Sequence, residues 1–485
     1  MPFANLESKL GDLFVEAEIP MQSDRRSNCV RRVYIALILG GLFFLIARPV
    51  LAQAQDAHPP ALQQVQKKIE QLEQELHDLK QQVAAAAPAT TSDSKSNGQA
   101  PAATPAEKSK PDSTVDLYGF AMLDSGYQFG TNDPNWFDVV RPVKLPAFSG
   151  EFAPNGKAFY GVRQTRFGVK SLTPTSFGDL KTLFEFELFG TGVDAGQTTF
   201  RLRHAYGELG HVGGGQYWSA FMDIDVFPNE LEYWGPNGMI FYRNVQVRWI
   251  PVQGDSNVVI ALERPGATAD QGLYSDRIEL QSVRPQFKWP DVTGHARLAR
   301  KWGYVQVGGI FRKIAWVDTN AASAFNLSGT AYGWGVNVSS NLNFTKKDVG
   351  KFQVVYGEGI ENYFNDAPVD IGIKNNFSNP RQPVIGVPLP DLGVVAFLDH
   401  KWSEHFTSTA GYSLVNIANS NGQLPSAFHQ GGYAIGNLLF HPTPRVTMGG
   451  EFQFGRRVNF TDGFNVNDYR IQVSFKYDWS KGFEY

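Results

Sequence analysis

The sequence predicts an all-β fold: a transmembrane β-barrel of about sixteen antiparallel strands, preceded by a short periplasmic coiled-coil helix. Three observations lead there. From Val115 onward, short segments alternate apolar and polar residues with a period of two. The connections between those segments alternate long and short. The one long apolar run lies at the N-terminus, where it reads as an export signal.

Composition agrees. The 485 residues carry 44 Lys+Arg against 47 Asp+Glu, a formal net charge of -3, which gives no basic field for nucleic acid. Aromatics reach 13% and charged residues only 19%, with 48 glycines. Mean hydropathy is -0.27, which excludes a bundle of spanning helices. Aromatic- and glycine-rich chains of average hydropathy suit strands that are apolar on one face only.

Val33 to Ala47 is an apolar run too short to span a bilayer comfortably. It follows Arg25, Arg26, Arg31 and Arg32 and precedes Ala52-Gln53-Ala54. Basic region, apolar region and small-residue site make residues 1–54 a signal peptide cleaved after Ala54; the alternative is an uncleaved anchor. Residues 1–20 are acidic and sit awkwardly before a signal, so the expected start is Met21. The sole cysteine, Cys29, precedes the apolar run. The exported chain therefore lacks the residues for a disulfide scaffold, a zinc–thiolate site or a cysteine nucleophile.

Residues 55–83 read as a coiled-coil helix. Leu62, Val65, Ile69, Leu72, Leu76, Leu79 and Val83 follow an unbroken a/d heptad seam. Lys68 meets Glu73 and Glu75 meets Lys80 across g–e′ positions, as parallel in-register strands of identical chains require. The alternative is one amphipathic helix lying on a domain. So short a zipper is marginal alone and assists an oligomer held elsewhere. Residues 84–114 contain no aromatic and, alanine apart, no apolar residue, so they form a flexible Pro/Ala/Ser linker.

The barrel occupies 115–485. Its clearest strand is the last: Ile471, Val473, Phe475, Tyr477 and Trp479 share one face, and Arg470, Gln472, Ser474, Lys476 and Asp478 the other. Strands are expected near 115–129, 158–171, 178–190, 198–210, 213–220, 240–251, 256–264, 291–301, 303–317, 331–343, 349–361, 393–403, 405–418, 431–442, 445–457 and 467–480. Short turns at one end and long loops at the other, an even strand count and abundant aromatics define an outer-membrane barrel. In lipid, closure satisfies every backbone group. At this size the lumen is expected to be a water-filled channel lined by the polar face.

Several segments carry a resemblance. Arg163 to Lys170 (RQTRFGVK) resembles the second strand of trimeric general porins, Phe200 to Tyr206 (FRLRHAY) the fourth, and Phe241 to Asn244 (FYRN) the opening of the sixth. The order of modules is similar to the DcaP-like porin family: signal, heptad helix, Pro/Ala tether, then a barrel opening with Val115 to Phe120. The resemblance implies a homotrimer, embedded in outer-membrane lipid and lipopolysaccharide, that passes small anions and dicarboxylates in particular. It also implies that the third long loop, Phe221 to Met239, folds inward and sets the constriction.

That loop carries Asp223, Asp225, Glu230 and Glu232, with Pro228 and Trp234. Parity places Arg166 and Lys170 of the second strand opposite it, with Gln164 beside them. Arg201 and Arg203 share one face of the fourth strand with Ala205 and Gly207, leaving Leu202, His204 and Tyr206 to the other. Arg248 shares the polar face of the sixth strand with Gln246 and Asn244. Arg243 has the opposite parity, but a bulge beside the inward loop turns it in. The expectation is thus a constriction of Arg166, Lys170, Arg201, Arg203, Arg243 and Arg248 facing Asp223, Asp225 and Glu230. Each of these arginines reads equally well as a solvated wall residue beside an acidic neighbour. Guanidinium forks bind carboxylates bidentately, so paired arginines suit a dicarboxylate. Lys476, on the last strand, is expected to lie away from the loop.

Catalytic signals are thin. His204, Ser219 and Asn244 form no recognisable nucleophile elbow, and Asp223 with Asp225 lacks a ligand-rich loop. No enzyme activity, cofactor or metal is expected. Two other readings stay open: a phosphate- or pyrophosphate-selective porin, and an anchor whose periplasmic helix binds peptidoglycan or another partner. The first needs a basic ladder, which the inward Glu185, Glu187, Glu451 and Asp478 oppose.

Overall fold

The computed structural model describes residues 113–484. The expected signal peptide, heptad helix and nearly all of the linker lie outside the described residues. The strands are β1 (Thr114–Gln128), β2 (Lys157–Gly161), β3 (Arg166–Thr175), β4 (Gly178–Phe189), β5 (Thr198–Leu209), β6 (Val212–Trp218), β7 (Arg243–Val252), β8 (Asn257–Glu263), β9 (Val283–Pro285) and β10 (Asp291–Arg300). Then follow β11 (Gly303–Asp318), β12 (Gly329–Asn343), β13 (Asp348–Glu358), β14 (Ile371–Asn375), β15 (Val384–Pro388), β16 (Pro390–Lys401), β17 (Phe406–Ile417), β18 (Phe428–Thr443), β19 (Val446–Asn459) and β20 (Asn465–Glu484).

Each strand of the wall pairs antiparallel with its neighbours, and β1 closes the sheet by pairing with β20 on one side and with β2 and β3 on the other. β2 and β3 are one stave broken at 162–165. β9 prolongs the stave of β10 along β11. The β14–β15 hairpin stands apart, within the loop 359–389. Counted as staves, the barrel has sixteen, one for each segment expected from the alternation.

Short turns such as 176–177, 210–211 and 444–445 gather at one end, and the long loops 129–156, 219–242, 264–290 and 359–389 at the other. The alternation is less strict than the sequence suggested. The connection 460–464 sits at the long-loop end yet is a tight turn. Gly463, at φ +77°, takes the left-handed conformation that such a turn needs.

The burial pattern is inside-out. Val247, Val473, Phe311, Tyr356 and Phe452 are exposed on the outer wall, with Val473 55% accessible, while Gln353, Gln453, Arg470 and Gln472 are buried inside. A strand presenting successive side chains to opposite faces can meet lipid and a polar lumen at once.

The lumen differs from expectation, because it is not polar throughout. From β11 to β18 the inner wall turns Ile310, Val355, Val395, Phe397, Val415, Tyr433 and Ile435 inward. These pack on Phe221, Met222, Val226, Met239 and Ile240 of the loop 219–242, and on Ile360, Tyr363 and Phe364 of the loop 359–389. Two long loops folded inside present more apolar surface than water would tolerate, and the facing wall is apolar to bury it. This half of the lumen is a packed core rather than open channel.

Candidate functional site

The loop 219–242 is fixed at several points. At Gly238 it approaches the wall so closely that a Cβ would lie 2.0 Å from the Leu414 carbonyl oxygen. The Gly238 N–H donates to Ser413 Oγ (2.9 Å). Glu451 of β19 accepts from the Leu231 and Glu232 N–H groups (2.8 and 3.0 Å). Glu232 accepts from the Val140 and Gly235 N–H groups (3.0 and 2.6 Å), which ties in the loop 129–156 as well. Burial pushes the Glu232 carboxyl up to about 7, and Glu230 rises well above the usual carboxylate range for the same reason.

The acids of this loop form no ion pair with the predicted arginines, although Glu230 lines one cavity with Arg166 and Arg203, and Asp223 and Asp225 line another with Arg248. Glu230 and Glu232 accept from the Tyr433 hydroxyl on the far wall (3.0 and 3.3 Å). Asp223 and Asp225 are held by Arg297 of β10, at 2.6 and 2.5 Å. Tyr304 and Ser339 also donate to Asp223 (2.8 and 2.6 Å). Parity alone cannot say which wall a folded-in loop will touch, and Arg297 carried no sequence signal beyond its inward position.

The carboxylates that meet the arginines come from β4. Glu187 lies within reach of Arg203 (2.6 Å), Arg166 (3.4 Å), Arg201 (3.5 Å) and Arg243 (3.8 Å). Glu185 meets Arg203 (2.6 Å) and Arg166 (3.8 Å), and accepts from the Tyr118 hydroxyl (2.8 Å). From the inward loop comes only the Tyr233 hydroxyl, which donates to Glu187. Four guanidinium groups thus converge on two carboxylates, a formal excess of two positive charges. Arg203 is buried and bridges the two, donating from Nε to Glu185 and from Nη1 to Glu187. Arg166 Nε, Arg201 Nη1 and Arg243 Nη1 have no hydrogen-bond partner.

A β-bulge builds this cluster. Glu185 pairs with His204, but Phe186 pairs with Leu202, so Arg203 is the extra residue. The bulge lets Arg201, Arg203 and then His204 all turn inward. Continuous parity had left His204 and Tyr206 on the outer face; after the bulge both are buried inside. Arg243 turns in as the first residue of β7, opposite Trp218, where the chain enters the wall.

The other predicted residues lie elsewhere. Lys170 pairs with Asp116 (3.6 Å) towards the short-turn end. Arg248 donates to Gln246 (2.7 Å) and stacks over Tyr217 at 4.8 Å. Lys476 is not remote: it lines the same cavity as Arg166 and Arg203, below the inward loop. Ser219 donates to Glu263 (2.8 Å). The sequence reading missed the aromatics at the cluster: Tyr233 and Phe241 line both that cavity, of about 390 Å³, and a second of about 250 Å³, and Trp218 lines the first.

A closed sixteen-stave barrel, apolar outside, with a long loop folded in beside a cluster of charged side chains, defines the porin class of outer-membrane channel. The DcaP outer membrane protein family matches residues 62–479, and the chain belongs to that family. The described fold is similar to the crystal structure of the outer membrane channel DcaP of Acinetobacter baumannii, with a TM-score of 0.63 and 19% identity over 77% of this chain and 99% of that one. The anion-selective porin from Comamonas acidovorans is more distantly similar, with a TM-score of 0.49 and 10% identity over 76% of this chain and 100% of that one. OmpT of Vibrio cholerae has a TM-score of 0.46 and 14% identity over 77% and 100%. No curated protein sequence matches the chain.

Proposed function

We propose that this outer-membrane channel passes small hydrophilic anions by passive diffusion, dicarboxylates among them, and works as a homotrimer. The supporting observation is the arginine cluster: four guanidinium groups against two carboxylates, beside Tyr233 of the inward loop. In a confined, partly desolvated passage, uncompensated charge acts more strongly than in bulk water. Arg201, whose side chain is 27% exposed and 3.5 Å from Glu187, is open to a solute carboxylate. The phosphate-selective reading is less well supported, because inward basic residues are held on acidic partners: Arg166 and Arg203 on Glu185 and Glu187, Arg297 on Asp223 and Asp225, and Arg312 on Asp291 and Asp370. The reading of the barrel as an anchor gains nothing from so charged an interior. Binding of peptidoglycan by the N-terminal helix is a separate proposal resting on the heptads alone.

Liposome swelling tests the anion reading. Replacing Arg201 and Arg243 together with glutamine removes the charge excess and leaves Arg203 on its glutamates. Succinate influx should fall roughly tenfold, as the loss of about 1.4 kcal/mol of charge-assisted attraction predicts, and influx of a neutral sugar should fall less. Equal loss for both solutes would mean that the two arginines shape the pore without selecting charge.

A further inference from the structure

At the long-loop end, a cavity of about 330 Å³ shares no lining residue with the two chambers at the arginine cluster. Its walls come from the loop 264–290, the end of β11 and the β14–β15 hairpin. They are mainly apolar, with Phe287, Ile314, Trp316, Leu327, Ile371 and Val384 among them. We infer that this cavity holds the hydrocarbon chain of an amphipathic anion, a fatty acid of about ten carbons, with its carboxylate on Arg284. The inference is independent of the charge preference proposed for the channel.

Packing leaves this space open. Leu280, Leu327 and Ile373 belong to one buried apolar cluster and Ile314, Ala331 and Ile371 to another, and side chains of both line the cavity. The walls are fixed. The Trp316 indole N–H donates to the Leu327 carbonyl (2.9 Å), and the Asp270 N–H donates to the Ile371 carbonyl (2.9 Å). The hairpin already touches Trp316, since a Cβ on Gly386 would stand 2.7 Å from its ring. Apolar cavities stay dry, and about 150 Å³ is enough for benzene, so about twice that volume suits a chain of about ten carbons. Each methylene it removes from water adds to the attraction. The head group is selected by charge. Arg284 is exposed, lies on β9 opposite Val317, and donates only to the Gln281 and Val283 carbonyls (2.5 and 2.9 Å). By contrast, Arg277 pairs with Glu279, and Arg312 with Asp291 and Asp370. Asp270, the one carboxylate in the lining, is engaged by the Gly272 N–H (2.8 Å) and the Gln423 amide (3.0 Å). The guanidinium fork is thus left for a carboxylate brought by the chain.

The test is photolabelling of the purified full chain in phosphatidylcholine vesicles by decanoate bearing a diazirine on its chain, read by mass spectrometry of the labelled peptides. A trimethylammonium with the same chain and diazirine controls for charge. Label from the carboxylate should concentrate on residues 267–287, 314–316 and 371–386. The cationic probe should label them about threefold less, the range that an exposed charge pair supplies. Arg284→Gln, a change at an exposed side chain, should remove that difference between the probes. Ala269→Trp, which fills the cavity from an exposed lining position, should shift the label of both probes to the outer wall. Label spread evenly over outer-wall peptides such as 471–479 in the unaltered protein would overturn the inference. So would concentrated label that stays the same for both probes in Arg284→Gln as in the unaltered protein.

Discussion

Glu187 organises the arginine cluster at the level of single residues. It is almost fully buried, yet four arginines and a tyrosine hydroxyl share its two oxygens. Arg203 is the principal counter-ion, since it alone reaches both Glu185 and Glu187 at hydrogen-bond distance with good geometry. Removing it leaves the two carboxylates with only the longer contacts of Arg166, Arg201 and Arg243. We expect Arg203→Gln to cost about 3 kcal/mol of barrel stability, because two buried charge-assisted hydrogen bonds are lost. Arg243→Gln, whose nearest Glu187 contact is 3.8 Å, should cost far less. Urea unfolding in detergent measures both, and equal costs would show that Arg203 is not the keystone. The sequence made Arg166, Arg201 and Arg203 visible as inward charges. It did not show that Glu185 and Glu187 would hold them, nor that a bulge would rotate His204 and Tyr206 inward. A bulge adds one residue without a composition of its own, and period-2 counting carries an undetected one forward as an error in every later position.

At the level of elements, the staves were legible and the contents of the barrel were not. Lipid on one side forces alternation, and the segment Ile471 to Trp479 records it without interruption. The packed half of the lumen also left a trace. Val394, Val395, Phe397 and Leu398 form an apolar run with no alternation, the signature of a strand covered on both faces. Such runs on β13, β16 and β17 mark the wall against which the loops fold. The loop 219–242 reaches that wall through Gly238, whose missing side chain permits contact with the backbone of Leu414 and Val394. Gly238→Ala should push the loop off β16 and β17, destabilise the protein by about 2 kcal/mol as overpacked sites do, and raise single-channel conductance. Unchanged conductance would mean that the loop's seat at this point does not set the width of the passage.

For the whole molecule, the barrel and the N-terminal region pose separate questions. The heptad seam from Leu62 to Val83 and the linker after it predict that residues 55–114 are dispensable for insertion and add to the stability of the proposed trimer. On unboiled gels run after heating to increasing temperatures, a chain lacking them should convert from trimer to monomer at lower temperature than the full chain. The same transition temperature for both would show that the zipper does not clamp the assembly. The central claim concerns the channel itself: its charge preference comes from the arginine excess at Glu185 and Glu187. The zero-current potential across a planar bilayer in a potassium chloride gradient tests this most directly, with the purified full chain beside its Arg201→Gln/Arg243→Gln variant. Chloride should be preferred by the unaltered protein, and the potential should move towards zero in the variant. Potassium preference in the unaltered protein, or the same potential in both, would contradict the account.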